Sequence, residues 1–131
     1  LTISSREKAL ALTRIGLPVF PVRLGKDNTK TPLTPNGHLD ATLDPGLVDD
    51  WFIENPTAQV GVYTGAAGIV VLDLDTKNGK NGFDSLDAAW LEVPETFGYD
   101  TPSGGRHLVY RAPEDVRLAP SANYRGMVGV D

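Results

Sequence analysis

The chain predicts an α/β fold: a mixed, partly antiparallel sheet with flanking helices, in one domain over residues 1–131. Three observations carry that expectation. Capped stretches with helical apolar spacing alternate with short β-branched runs, as "ALALTRI" does with "GIVVLDL". Several of those runs come in pairs separated by glycine turns, which suits hairpins. At 131 residues, with 40% hydrophobic and 22% charged side chains, the chain can bury one modest core.

The elements follow in order. In "SSREKALALTRIG", Ser4 and Glu7 have the spacing of a capping box, and Gly16 can end the helix. Ala9, Leu10, Leu12 and Ile15 form its apolar side. "LPVFPV" reads as a short strand, and Pro18 and Pro21 favour an edge or irregular position for it. Residues 23–45 are rich in charge, proline and glycine and read as a long loop, a length often kept for function. Asp44 followed by Pro45 caps a second helix whose packing face is Leu47, Val48, Trp51 and Phe52.

"AQVGVYTG" and "GIVVLDLD" then read as strands joined by a turn from Gly65 to Gly68. A third helix is expected in "GFDSLDAAWLEV", with Phe83, Leu86, Ala89 and Trp90 inward and Asp84 and Asp87 in solvent. "RHLVYRA" alternates as a strand after a Pro- and Gly-rich stretch, and "GMVGVD" resembles one more strand. That final run has no closing turn, so the chain is expected to be a fragment of a longer protein, cut close to a functional position.

Composition narrows the chemistry. Cysteine is absent, which excludes disulfides and thiolate metal sites, and only His38 and His107 offer imidazole. Any bound metal is expected to be a hard cation on oxygen ligands. A net charge of −5 argues against coating the whole surface with nucleic acid, though Lys and Arg can still line a local channel. No apolar run approaches the roughly 20 residues of a membrane span, and no secretory signal opens the chain, so a cytoplasmic location is expected.

The residues that point to chemistry lie in two places. In "GIVVLDLD", alternation sets Asp73 and Asp75 on one face of a strand end, with Cα atoms roughly 7 Å apart. Two carboxylates so placed repel one another unless a cation bridges them; the plain alternative is a turn cap beside a solvated acid. Three chemistries use this pair: aspartyl phosphatases, metal-dependent sugar transferases and two-metal polymerases. In "TPSGGRHLVYR", Gly104 and Gly105 let backbone N–H groups approach an anion, and His107 shares a strand face with Arg111. Read alone, Ser103 to Gly105 is a hairpin turn and His107 a strand histidine; beside an acid pair they make a coherent triphosphate grip. Lys30, His38 and Asp40 either line the cleft mouth or serve only their loop. Trp51 and Trp90 read as core.

Taken in order, "GLPVFPV", "KTPL", "GHLDAT", "DP...VDDWF", "GVYTG", "GIVVLDLD", "TPSGGRHLVYR" and "GVD" cover nearly the whole chain. This set resembles the N-terminal primase–polymerase (prim-pol) domain of plasmid, phage and integrated-element replication proteins, within the archaeo-eukaryotic primase superfamily. The resemblance implies a catalytic core like an RNA-recognition motif, joined to a smaller α/β unit. It assigns metal binding and catalysis to Asp73, Asp75 and Asp131, with Mg²⁺ or Mn²⁺ as cofactor. It assigns nucleotide binding to the small turn and histidine, Gly104, Gly105 and His107, to which Ser103, Arg106 and Lys30 are added as neighbours of the phosphates. The implied activity is template-dependent nucleotidyl transfer, a DNA primase and DNA polymerase acting in DNA replication. Its implied partners are template DNA, a primer, nucleoside triphosphates and a fused or separate helicase. Some relatives carry a cysteine-bound zinc stem, which this chain cannot form. No Walker-type phosphate loop occurs, so helicase action is not encoded in this stretch. Two rival readings stand beside it: an aspartyl-nucleophile phosphatase built on "VVLDLDT", and a non-catalytic nucleotide- or DNA-binding module.

Overall fold

A computed structural model describes residues 3–27, 29–101, 103–115, 118–123 and 127–131. They gather into two compact units, Leu1–Ala67 and Gly68–Asp131. In the first, helix α1 (Ser5–Arg14) opens with the expected capping box: the Glu7 N–H donates to Ser4 Oγ, and the Ser4 N–H donates to the Glu7 carboxylate, both at 3.1 Å. It closes on Gly16 at φ +87°, where the Leu17 N–H reaches the Leu12 carbonyl and the Gly16 N–H the Thr13 carbonyl.

Strand β1 (Val19–Leu24) is the centre of a three-stranded antiparallel sheet, between β2 (Lys30–Pro32) and β3 (Gln59–Val62). Of the edge or irregular position expected from Pro18 and Pro21, the edge is therefore ruled out. The reason lies in the ladder: the Pro21 carbonyl accepts from the Leu33 N–H, so its missing N–H also faces that side, just past the end of β2. Gly61 opposes Phe20, and a Cβ there would come within 2.5 Å of the Phe20 ring. Helix α2 (Pro45–Glu54), capped by the Asp44 side chain on the Gly46 N–H, completes the core. Val48 and Phe52 pack with Ala9, Val19 and Ala58, and Trp51 lies against them half-buried.

Residues 23–45 are more structured than a loop, since they hold the end of β1, the whole of β2 and a 3₁₀ turn (Gly37–Asp40). In place of the predicted turn between two paired strands stands a one-turn helix, α3 (Thr64–Ala67), and β3 does not pair with the strand that follows.

The second unit holds β4 (Ile69–Leu74), α4 (Gly82–Ala88), β5 (Gly98–Asp100) and β6 (Arg106–Arg111), in the sheet order β4-β6-β5. All strand pairs among the described residues are antiparallel, so two small antiparallel sheets replace the single mixed sheet that was expected. Leu74, Leu86 and Val130 form the buried centre, with Leu72, Leu108 and Met127 against it. Of the four residues expected to face inward from α4, only Leu86 is buried; Trp90 is 93% exposed. The helix stops at Ala88, and Trp90 follows at φ +57°, beyond its end. Strand β5 was not anticipated. Residues 127–131 add a bridge to the far side of β4, Leu74 opposite Val130. Among the described residues no helix is long and apolar enough to cross a membrane.

Candidate active site

Alternation along β4 and β6 gives the second sheet two different faces. Leu72, Leu74 and Leu108 point to the core, so Asp73 and His107 point away from it. The register sets Asp73 directly opposite His107, and His107 directly opposite Tyr99 on β5. On the other side of β4, Asp73 and Asp131 exchange both backbone hydrogen bonds, at 2.8 and 2.9 Å. Such a pair carries its side chains on the same face. The result is a row across neighbouring backbones: Asp131, Asp73, His107, Tyr99.

Contacts within the row are close. His107 Nε2 lies 3.3 Å from Asp73 Oδ1, an ion pair when the imidazole is protonated. Its Nδ1 lies 2.8 Å from the Tyr99 hydroxyl, with the two rings edge to face at 5.0 Å. Burial, and then the charge of Asp73, raise the Tyr99 phenol above its ordinary pKa, so it remains a hydrogen-bond donor at neutral pH. In the tautomer that carries its proton on Nε2, toward Asp73, a neutral His107 accepts from Tyr99 at Nδ1; in the other, Nδ1–H donates to the Tyr99 oxygen. One oxygen of Asp131 accepts the Asn123 N–H at 2.6 Å, and the Asn123 side chain in turn accepts from Gly129.

Asp75 stands apart from the row. Its N–H continues the pairing, donating to the Gly129 carbonyl, and its own carbonyl accepts from Gly82. The residue is 7% exposed, and Lys77 Nζ approaches its Oδ1 at 3.7 Å. Lys77 is the cation that lies beside this enclosed carboxylate.

The glycine turn is explained first by packing. A Cβ on Gly105 would collide with the Leu74 carbonyl, and Gly104 sits at φ +88°. The Gly104 N–H donates to the Thr101 carbonyl at 3.0 Å, so closing the turn uses one of the amides that the sequence offered to phosphate. Ser103 is exposed at the turn, and its carbonyl accepts from Thr76 Oγ1. Arg106 is not brought to the row: it occupies the opposite face, and its guanidinium is held 2.7 Å from Asp100. Lys30 lies exposed on β2 of the first unit. In that unit Asp40 accepts from the backbone and side chain of Asn36, which suits a loop-holding role, and His38 packs edge to face with Tyr63 at 4.8 Å.

Sequence reasoning missed Tyr99 and Asn123. For Tyr99 the signal was the spacing in "TFGYD", two aromatics one residue apart; three-residue strands leave little more. Asn123 carried no local signal.

Among the described residues no group of three or more His, Asp and Glu side chains is placed to hold a metal ion. What the row offers is two hard carboxylate donors from adjacent backbones, Asp73 and Asp131. Such a donor set fits Mg²⁺ or Mn²⁺, which bind nucleotide-processing sites through one or two carboxylates plus substrate phosphates.

Searches of curated proteins and of solved structures returned no match. Residues 9–129 match the family model of the bifunctional DNA primase/polymerase N-terminal domain, and the chain belongs to that family.

Proposed function

We propose that the row Asp131–Asp73–His107 is the nucleotide-handling part of a DNA primase/polymerase site, joining nucleotides on a template in the replication of a plasmid, phage or integrated element. The observation that carries this reading is the cross-strand register that sets one imidazole beside one carboxylate and a second carboxylate beside the first. Asp73 and Asp131 hold the divalent ion, and Asp75, one turn of alternation further on, either joins them or anchors the strand end through Lys77. A bound Mg²⁺ or Mn²⁺ supplies charge neutralisation on the triphosphate and acidifies the attacking 3′-hydroxyl. His107 binds the phosphates through Nε2, and Tyr99 fixes the ring that does so. Ser103 and Gly105 border the phosphates at the turn; Lys30 belongs to the same reading only as a contact to substrate charge. In this reading the core is of the RNA-recognition-motif type that the resemblance implies, and the packed and open faces of the second sheet suit it. Template DNA, a primer and nucleoside triphosphates are the substrates, with a helicase as the associated activity.

Asp73→Asn tests the reading in template-dependent primer extension with Mn²⁺. Loss on the order of 100-fold or more is expected, since the substitution removes charge stabilisation worth several kcal/mol. Extension at the wild-type rate would overturn the assignment. The phosphatase alternative keeps no support of its own, because the family match covers "VVLDLDT" within a polymerase domain.

A further inference from the structure

The row does not end at Tyr99. Phe97 precedes β5 and takes the position opposite Val109, where its carbonyl accepts the Val109 N–H at 2.9 Å. Two residues from Tyr99, it lies on the same face. The Phe97 and Tyr99 rings are 6.2 Å apart and inclined at 45°. Phe97 is 72% exposed and Tyr99 46% exposed, on the open side of a sheet whose other side is the core. A phenylalanine gains nothing for the fold when most of its surface faces water. Among the described residues its only aromatic neighbour is Tyr99.

Charge and shape change along this line. Asp73 and His107 are the polar end, suited to phosphate and metal; Tyr99 is amphipathic, its hydroxyl spent on His107; Phe97 is purely apolar and open. A nucleotide has the same order of properties, from phosphates through a ribose to a flat π-surface. Ring-to-ring steps of 5.0 and 6.2 Å lead from His107 to Phe97. Exposed aromatics on a sheet face are a sequence-tolerant way to hold a base, because every base has a π-face.

From this geometry we propose that Phe97, backed by Tyr99, is the stacking shelf for the base of the nucleoside triphosphate whose phosphates lie at His107. The inference rests on the phosphate reading of His107 and adds the residue that holds the other end of the same ligand. The shelf reads no hydrogen-bond pattern, so it accepts purine and pyrimidine bases alike and leaves base choice to the template.

Equilibrium titrations of the protein with dATP, inorganic tripolyphosphate and single-stranded oligothymidylate, each with Mn²⁺, test the proposal. Phe97→Ala is expected to weaken dATP binding by about 5- to 150-fold, the range of one lost base–aromatic stack. Tripolyphosphate binding is expected to be unchanged, since it has no base. Phe97→Trp is expected to restore dATP affinity and Phe97→Leu not to, which separates stacking from apolar bulk. Unchanged dATP affinity in a folded Phe97→Ala protein overturns the shelf, and so does a loss confined to oligothymidylate, which would assign the ring to a strand base. His107→Ala reports on the phosphate reading alone: if tripolyphosphate binding survives it, that reading fails, whatever Phe97 does.

Discussion

Helices α1 and α4 end with the same hydrogen bonds and different residues. In each, the second residue past the cap donates to the third carbonyl from the end: Leu17 to Leu12 in the first unit, Leu91 to Leu86 in the second. The left-handed position between cap and donor is Gly16 in one and Trp90 in the other. Glycine takes that backbone at no steric cost, whereas any side chain adds strain. A similar contrast holds for the two central strands: Val19 through Val22 of β1 are buried in succession, while β6 is only half-buried along its length. The first unit spends its residues on folding. The second leaves polar and aromatic groups uncovered along one sheet face, and the proposed chemistry is drawn from them.

If that contrast is sound, core truncation should be most damaging in the first unit. Phe52→Ala removes a ring that is 3% exposed and should cost about 3–5 kcal/mol, measured by urea unfolding. Nucleotide affinity per folded molecule should be unaffected. A smaller and opposite effect is expected at the strained cap. Trp90→Gly should stabilise the protein by about 1 kcal/mol, by relieving the left-handed backbone at an exposed position. If it destabilises instead, the indole makes a contribution that the exposed position does not suggest. Smallest is an alkaline effect in the row. The folded-state pKa of Tyr99 is raised, so its protonated form is favoured by folding. That contribution is full below the ordinary phenol range and fades as pH rises through it to the raised value. Tyr99→Phe should flatten this fall in stability above about pH 10. An unchanged alkaline slope would show that neither burial nor the neighbouring charge raises this phenol on folding.

Local signals were readable wherever local chemistry decides structure. Ser4 with Glu7, Asp44 with Pro45, and Gly16 marked their helix ends from residue type alone. Asp73 and His107 were likewise visible as candidates. Their direct opposition was not, because register is a relation between strands distant in sequence and is fixed by packing of Leu72, Leu74 and Leu108. Trp90 was misjudged because helical spacing was carried past Ala88, where the backbone had already turned. Pro21 favoured an edge or irregular position in the sequence, and the choice could not be read there because it depends on where β2 stops. Arg106 was added to the nucleotide-binding set as a neighbour of His107 in the sequence; adjacent residues of one strand face opposite ways, and Asp100 holds the guanidinium there.

The tight approach of Gly105 to the Leu74 carbonyl has a consequence for how this segment can vary. One residue deleted between that glycine and His107 would send Leu108 and Tyr110 into the places of His107 and Val109, and one inserted there would push His107 and Val109 into the places of Leu108 and Tyr110. Length changes are therefore tolerable before the turn, in the stretch from Glu92 to Thr96, and ruinous after it. A lineage could lengthen the approach to this hairpin freely while keeping the short span from glycine to imidazole at constant length.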